Sequence, residues 1–110
     1  MLKISGTTIT LTRGDSAKIA MDLTYKNGDS YEPKDGDRIR FAMKKDYNDF
    51  LPPLLSIEIP TDTLILYIPA SETKQLAYGT YKYDIQITTA AGDVDTFIDR
   101  ATFVVTEEVD

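Results

Sequence analysis

Hydrophobic and polar residues alternate along most of this chain, and a period of two sustained over several residues predicts a half-buried β-strand. From Ser16 to Lys26 the alternation is strict. Ala17, Ile19, Met21, Leu23 and Tyr25 share one face, and Ser16, Lys18, Ala20, Asp22, Thr24 and Lys26 share the other. Asn27-Gly28-Asp29 ends the run, since Asn and Gly tolerate the positive φ of a tight turn. A shorter threonine-rich strand, Thr7–Thr12, precedes it across Arg13-Gly14-Asp15. After a loop over Tyr31–Asp37 that holds Pro33 and Gly36, a third strand alternates Ile39, Phe41 and Met43 with Arg38, Arg40 and Lys44.

The stretch Lys45–Pro53 is charged, contains Asn and ends in two prolines, which predicts the longest irregular connection. Two strands then flank the turn Pro60-Thr61-Asp62-Thr63. Leu55–Ile59 alternates, whereas Leu64–Ile68 is apolar at every position and is expected to be buried on both sides. Pro69 closes that strand, and residues 70–76 form the one segment with helical character, with Ser71 as cap and Glu72 in the first turn. The chain re-enters a sheet at Gly79 with Tyr81, Tyr83, Ile85 and Ile87 inward. Ala90-Ala91-Gly92-Asp93 turns it into a last strand, Val94–Thr106, followed by an acidic tail. About seven short strands with turns at this spacing predict an all-β, immunoglobulin-like antiparallel β-sandwich with one short helical turn, a single domain over 1–110. Its core is expected to draw on Ile19, Met21, Leu23, Ile39, Phe41, Leu66, Tyr83, Ile85 and Phe103. The Gly79-x-Tyr81-x-Tyr83 opening looks like the tyrosine corner of such sandwiches, which makes Tyr81 a structural residue whose hydroxyl ties back to the upstream backbone.

Composition narrows the chemistry. The 110 residues hold no Cys and no His, which removes disulfides, thiolate nucleophiles, the usual zinc sites and the commonest general base. A formal net charge of −6 has the wrong sign for binding phosphate backbones, so nucleic acid is not an expected partner. No apolar run is long enough for a signal peptide or a bilayer span, and no membrane partner is expected.

Each remaining constellation has a structural reading beside a functional one. The pairs Asp35/Asp37, Asp46/Asp49 and Asp93/Asp95 lack the Asp-x-Asp-x-Asp-Gly spacing of a calcium loop and read as turn acids bonded to their own backbone. No metal or cofactor is expected, and no catalytic set, so the chain reads as a non-enzyme. Arg13-Gly14-Asp15 matches a tripeptide read by adhesion receptors, but its local reading is a turn between strands. Arg38, Arg40 and Lys44 fall on one strand face and offer a positive stripe to an acidic partner surface. Tyr31, Tyr47, Phe50 and Tyr78 lie in loops, where stacking platforms for a sugar would be needed, so a carbohydrate-binding sandwich is the alternative function.

The pattern Leu11-Thr12-Arg13-Gly14-Asp15-Ser16-Ala17, then Gly36-Asp37-x-Ile39-x-Phe41-x-Met43-Lys44-Lys45, then Leu76-x-x-Gly79-x-Tyr81-x-Tyr83-Asp84-Ile85, then Gly92-Asp93-Val94-x-Thr96 and Phe103-Val104-Val105-Thr106 resembles small prophage proteins of low-GC Gram-positive bacteria, specifically the N-terminal domain family of phage baseplate upper proteins. The resemblance runs over nearly the whole chain. It implies a non-enzymatic structural or adaptor domain of a tail, baseplate or head accessory, made in the bacterial host cytoplasm and located in the virion. Its implied partners are other virion or tail proteins, or further copies of itself. Proteins of that family continue into further domains with a receptor-binding module, whereas this sequence runs to Asp110, and the expectation is a stand-alone accessory.

Overall fold

The alternating segments assemble into two facing sheets. The computed structural model of the chain describes residues 2–25, 27–45 and 52–107. In chain order these form β1 (Leu2–Ser5), β2 (Thr8–Thr12), β3 (Ala17–Ala20), β4 (Arg38–Lys44), β5 (Leu55–Ile59), β6 (Ile65–Ile68), α1 (Ala70–Thr73), β7 (Gly79–Thr88) and β8 (Val94–Thr106). Six strands make one sheet in the order β1-β2-β8-β7-β4-β5, and β3 pairs with β6 in a second. The expected all-β sandwich-like fold with one short helix is the fold of the chain. The order β8-β7-β4-β5 opposite β3-β6 is that of the G-F-C-C′ strands opposite B and E in immunoglobulin-type sandwiches. The connection from β5 to β6 is only residues 60–64, so no strand intervenes on that side.

Between the sheets lie Ile9, Leu11, Ile19, Ile39, Phe41, Met43, Ile59, Leu66, Ile68, Ile85, Ile87 and Phe103, all nearly or fully sealed from solvent. Phe41, Tyr83 and Phe103 form its aromatic centre, with ring centroids 5.2 to 6.4 Å apart. Every residue of the expected core is inside except Met21, which is partly buried against it. β7 and β8 are the strands read from the sequence, with Tyr81, Tyr83, Ile85 and Ile87 inward.

Several expectations are corrected. The pairing is not antiparallel throughout, because β2 runs parallel to β8 from Ile9↔Phe103 to Thr12↔Thr106. β1 is an eighth strand, folded back as a hairpin on β2. The 16–26 strand keeps its alternation of faces but is laddered only over Ala17–Ala20, since its partner β6 begins at Ile65. The partner stops there because Leu64 takes a left-handed φ of 54°, although its carbonyl still accepts the Met21 amide at 2.8 Å. Ser71 does not cap the helix: Pro69 is the N-cap residue, with no side-chain cap bond, and α1 ends at Thr73. Of the connection 45–53, residues 46–51 lie outside those described.

In β8 the ladder to β7 slips between Tyr83 and Gln86, giving a bulge. Arg100 sits there at φ 56°, and its amide donates to Asp84 Oδ1 at 2.8 Å. A carboxylate thus satisfies the backbone group that the bulge takes out of the ladder.

Candidate interaction surface

The expected positive stripe stands on the outer face of the large sheet. Arg38, Arg40 and Lys44 alternate with the buried Ile39, Phe41 and Met43, as period two requires. They are not equivalent. Arg38 Nη2 lies 2.7 Å from Glu58 Oε1 on the neighbouring β5, both side chains well exposed. That hydrogen bond, and the charge behind it, raise the Arg38 pKa above its ordinary value. Arg40 stands opposite Glu58 in the β4–β5 register and opposite Gln86 in the β4–β7 register. Lys44 is half-buried opposite Lys82, whose Nζ donates to Thr102 Oγ1 at 2.9 Å. The arrangement is a polar sheet face on which Arg38 and Glu58 form a solvent-exposed ion pair, of a kind that adds little to stability.

Tyr81 donates its hydroxyl to the Ala77 carbonyl at 2.6 Å, with its ring almost wholly buried and Lys45 Nζ 4.6 Å from the ring centroid. Tyr83, two residues on, donates to the Thr7 carbonyl and so ties β7 to the β1–β2 hairpin. Removing only the Tyr81 hydroxyl strips the Ala77 carbonyl of this partner. Ala77 is exposed, so water can take the place of the hydroxyl, and Tyr81→Phe is expected to cost about 0.5–1.5 kcal/mol in urea unfolding, the net contribution of one intramolecular hydrogen bond. An unchanged midpoint would mean that the hydroxyl stabilises nothing.

Burial raises the Tyr83 phenol from an ordinary 10.0 to about 12. It also raises Tyr81, against the Ala77 bond, and raises Tyr31 together with the neighbouring Asp37 carboxylate. With folded values above unfolded ones, the unfolded chain loses these protons first as pH rises. Stability is then full below about pH 10 and falls as pH climbs from there through the Tyr83 value near 12. Denaturant midpoints measured from pH 8 upward are expected to stay level and then drop above pH 10, and Tyr83→Phe is expected to flatten part of that drop.

The sugar-platform expectation fails at Tyr31. That ring is 6% exposed, packs 5.3 Å from Phe97 and 6.1 Å from Tyr25, and donates its hydroxyl to Asp37 Oδ2 at 2.8 Å. Tyr78 is exposed, with the Arg13 guanidinium 5.6 Å from its ring centroid. Tyr47 and Phe50 lie outside the described residues, as do Asp46 and Asp49.

Arg13-Gly14-Asp15 is tied into the fold. Arg13 donates to the carbonyls of Leu76 and Lys74 at 3.1 and 2.7 Å, just past the end of α1, where helix carbonyls lack partners. The fully buried Thr73 accepts from the Gly14 amide at 3.1 Å and donates to the Asp15 carbonyl at 2.8 Å. Sequence reasoning missed Thr73, and no local signal marks it. Among the turn acids, Asp37 and Asp95 accept backbone amides. No group of three or more acidic side chains among the described residues could hold a metal ion.

The feature that sequence reasoning did not find lies on the β5 side of the sandwich. Ile65 and Tyr67 of β6 are 38% and 46% exposed, contrary to the expected two-sided burial, while Leu66 and Ile68 point into the core. Together with Leu54, 55% exposed, and with Ile57, Pro60 and Pro69, they line a cleft between β5 and β6. Among the described residues both bordering strands are terminal in their sheets, β5 paired with β4 and β6 with β3. A largely apolar cleft, lined also by Ser56, Glu58 and Glu72, between two strand edges that are open among the described residues suits an extended partner segment, whose backbone would continue a ladder while its side chains fill the cleft.

Comparison with protein-family models, with curated proteins and with solved structures finds no match to this chain.

Proposed function

We propose that this chain is a non-enzymatic assembly domain acting by protein–protein contact at the β5 side of its sandwich. Following its resemblance to the N-terminal domain of phage baseplate upper proteins, we take the assembly to be that of a virion. The observation that supports contact is the exposed cleft of Leu54, Ile65 and Tyr67 beside an open strand edge. Apolar side chains around an unpaired backbone edge gain from being covered twice over, by burial and by hydrogen bonding. Arg38 and Arg40, on the same side of the sheet, supply charge that selects and orients a partner more than it binds one.

The test is to mix the purified protein with the products of the genes beside its own, and separately with a glycan panel. A complex that weakens when Ile65 and Tyr67 are both replaced by Ser, with the fold intact by circular dichroism, is the expected result. Glycan binding lost on Tyr78→Ala, with no protein complex, would replace this reading by the carbohydrate-binding one.

A further inference from the structure

We infer, resting on the assembly reading above, that the partner at this edge is a second copy of the chain. The two copies join β5 to β5 in antiparallel register about a twofold axis at Ile57.

The two edges of the large sheet are built differently. β1 is four residues long and carries Lys3, exposed on the outer face opposite Thr10. A short strand with a lysine is how natural sheets keep an edge from pairing. β5 is one residue longer and contains no lysine and no proline, its one charge, Glu58, is paired with Arg38 on β4, and its register to β4 runs from Ile39↔Ile59 to Met43↔Leu55 without a slip. One edge is guarded and the other, among the described residues, is open.

The open edge is complementary to itself. Turned about Ile57, the strand sets Leu55 against Ile59 of the partner subunit and Ile57 against the partner's Ile57, so apolar positions meet on the inner face. On the outer face Ser56 meets the partner's Glu58, a hydroxyl donor opposite a carboxylate. Glu58 keeps Arg38 as its ion-pair partner and Arg40 across the ladder on its other side. No like charges stand directly opposite one another, the arrangement that destabilises a cross-strand pair. The exposed Leu54, Ile65 and Tyr67 lie along this seam.

Head-to-tail pairing fits less well. Following the pairings across the sheet, β1 and β5 run in the same direction, so β1 of another copy, with its inner face on the same side, would meet β5 as a parallel strand. Parallel pairing is the weaker ladder, and this route would use the guarded edge. Twofold pairing is antiparallel, closes on itself and is the commonest symmetry of soluble oligomers. One five-residue edge makes a small interface, so dimerisation is expected to depend on concentration in the micromolar to millimolar range.

Sedimentation equilibrium over about 10 μM to about 1 mM tests this. Ser56 is exposed, so changing it leaves the monomer intact. Ser56→Glu sets carboxylates opposite each other at two symmetric places, and Ser56→Lys sets opposite charges there. The first is expected to weaken dimerisation and the second to strengthen it, each by about 2- to 30-fold, the strength of two cross-strand charge pairs. Amide exchange at the upper concentration is expected to slow within 55–59 and to stay unchanged within 2–5. A chain that remains monomeric to 1 mM overturns the second copy as partner. The assembly reading is then judged separately by the mixing experiment, where a complex with a neighbouring gene product would uphold it. A dimer whose affinity moves the same way in both variants, or whose exchange slows within 2–5 instead, overturns the β5 register.

Discussion

Replacing Phe41 by Ala is expected to lower the free energy of unfolding by about 3–5 kcal/mol, the range for removing a large aromatic side chain from a packed interior. Phe41 sits in β4, flanked in register by Ile57 on β5 and Ile85 on β7, with its side chain fully buried. Its ring lies 5.2 Å from Tyr83 and 6.3 Å from Phe103, so truncation removes both aromatic contacts and leaves a hollow that neither ring can fill without losing its own packing. A domain of this size has about 5–15 kcal/mol of total stability, so the variant should sit near the edge of folding. Urea unfolding followed by tyrosine fluorescence measures the change. A loss under about 0.5 kcal/mol, as at surface positions, would mean that the inward and outward faces of β4 have been exchanged.

Gly36→Ala is expected to cost about 2–5 kcal/mol, although it adds one methyl group in a loop. Gly36 has φ +84°, and a Cβ built there would lie 2.5 Å from the Ala90 Cβ. The backbone conformation alone accounts for about 1–2 kcal/mol in any residue with a side chain. The rest arises because the 31–37 loop and the β7–β8 turn cannot both stay where they are. The two parts are separable by a second change: in an Ala90→Gly background the 2.5 Å collision is gone and a 3.3 Å approach to the residue 90 Cα remains, so Gly36→Ala should cost little more than the conformational part. Equal costs in the two backgrounds would show that the loops do not meet at this point.

The residues proposed to carry assembly were only half legible. Arg38 and Arg40 could be placed on one solvent face from period two alone. The Ile65/Tyr67 cleft could not, because five apolar residues in a row read as a strand covered on both sides. Among the described residues the five-residue link 60–64 joins β5 directly to β6, so no strand between them covers the outer side of β6. Tyr31 failed in the opposite sense. It lies in a loop, where exposure is the default, yet Phe97, far along the chain, closes over it.

Strand faces, turns and core membership belong to the sequence itself. Successive side chains on an extended backbone point to opposite faces, so the alternation at Ile39–Met43 or Tyr81–Ile87 states which atoms must leave water, whatever they meet there. Gly28, Gly36 and Gly92 likewise stand where the chain turns with positive φ, a matter of local sterics. Which strand lies beside which was decided only in three dimensions. The parallel meeting of β2 with β8, the junction of Arg13 and Thr73, and the open flank of β5 and β6 each join residues that no local period connects. They form because the whole set of buried faces has to be covered at once, and the edge left uncovered is a property of that packing and of no segment within it.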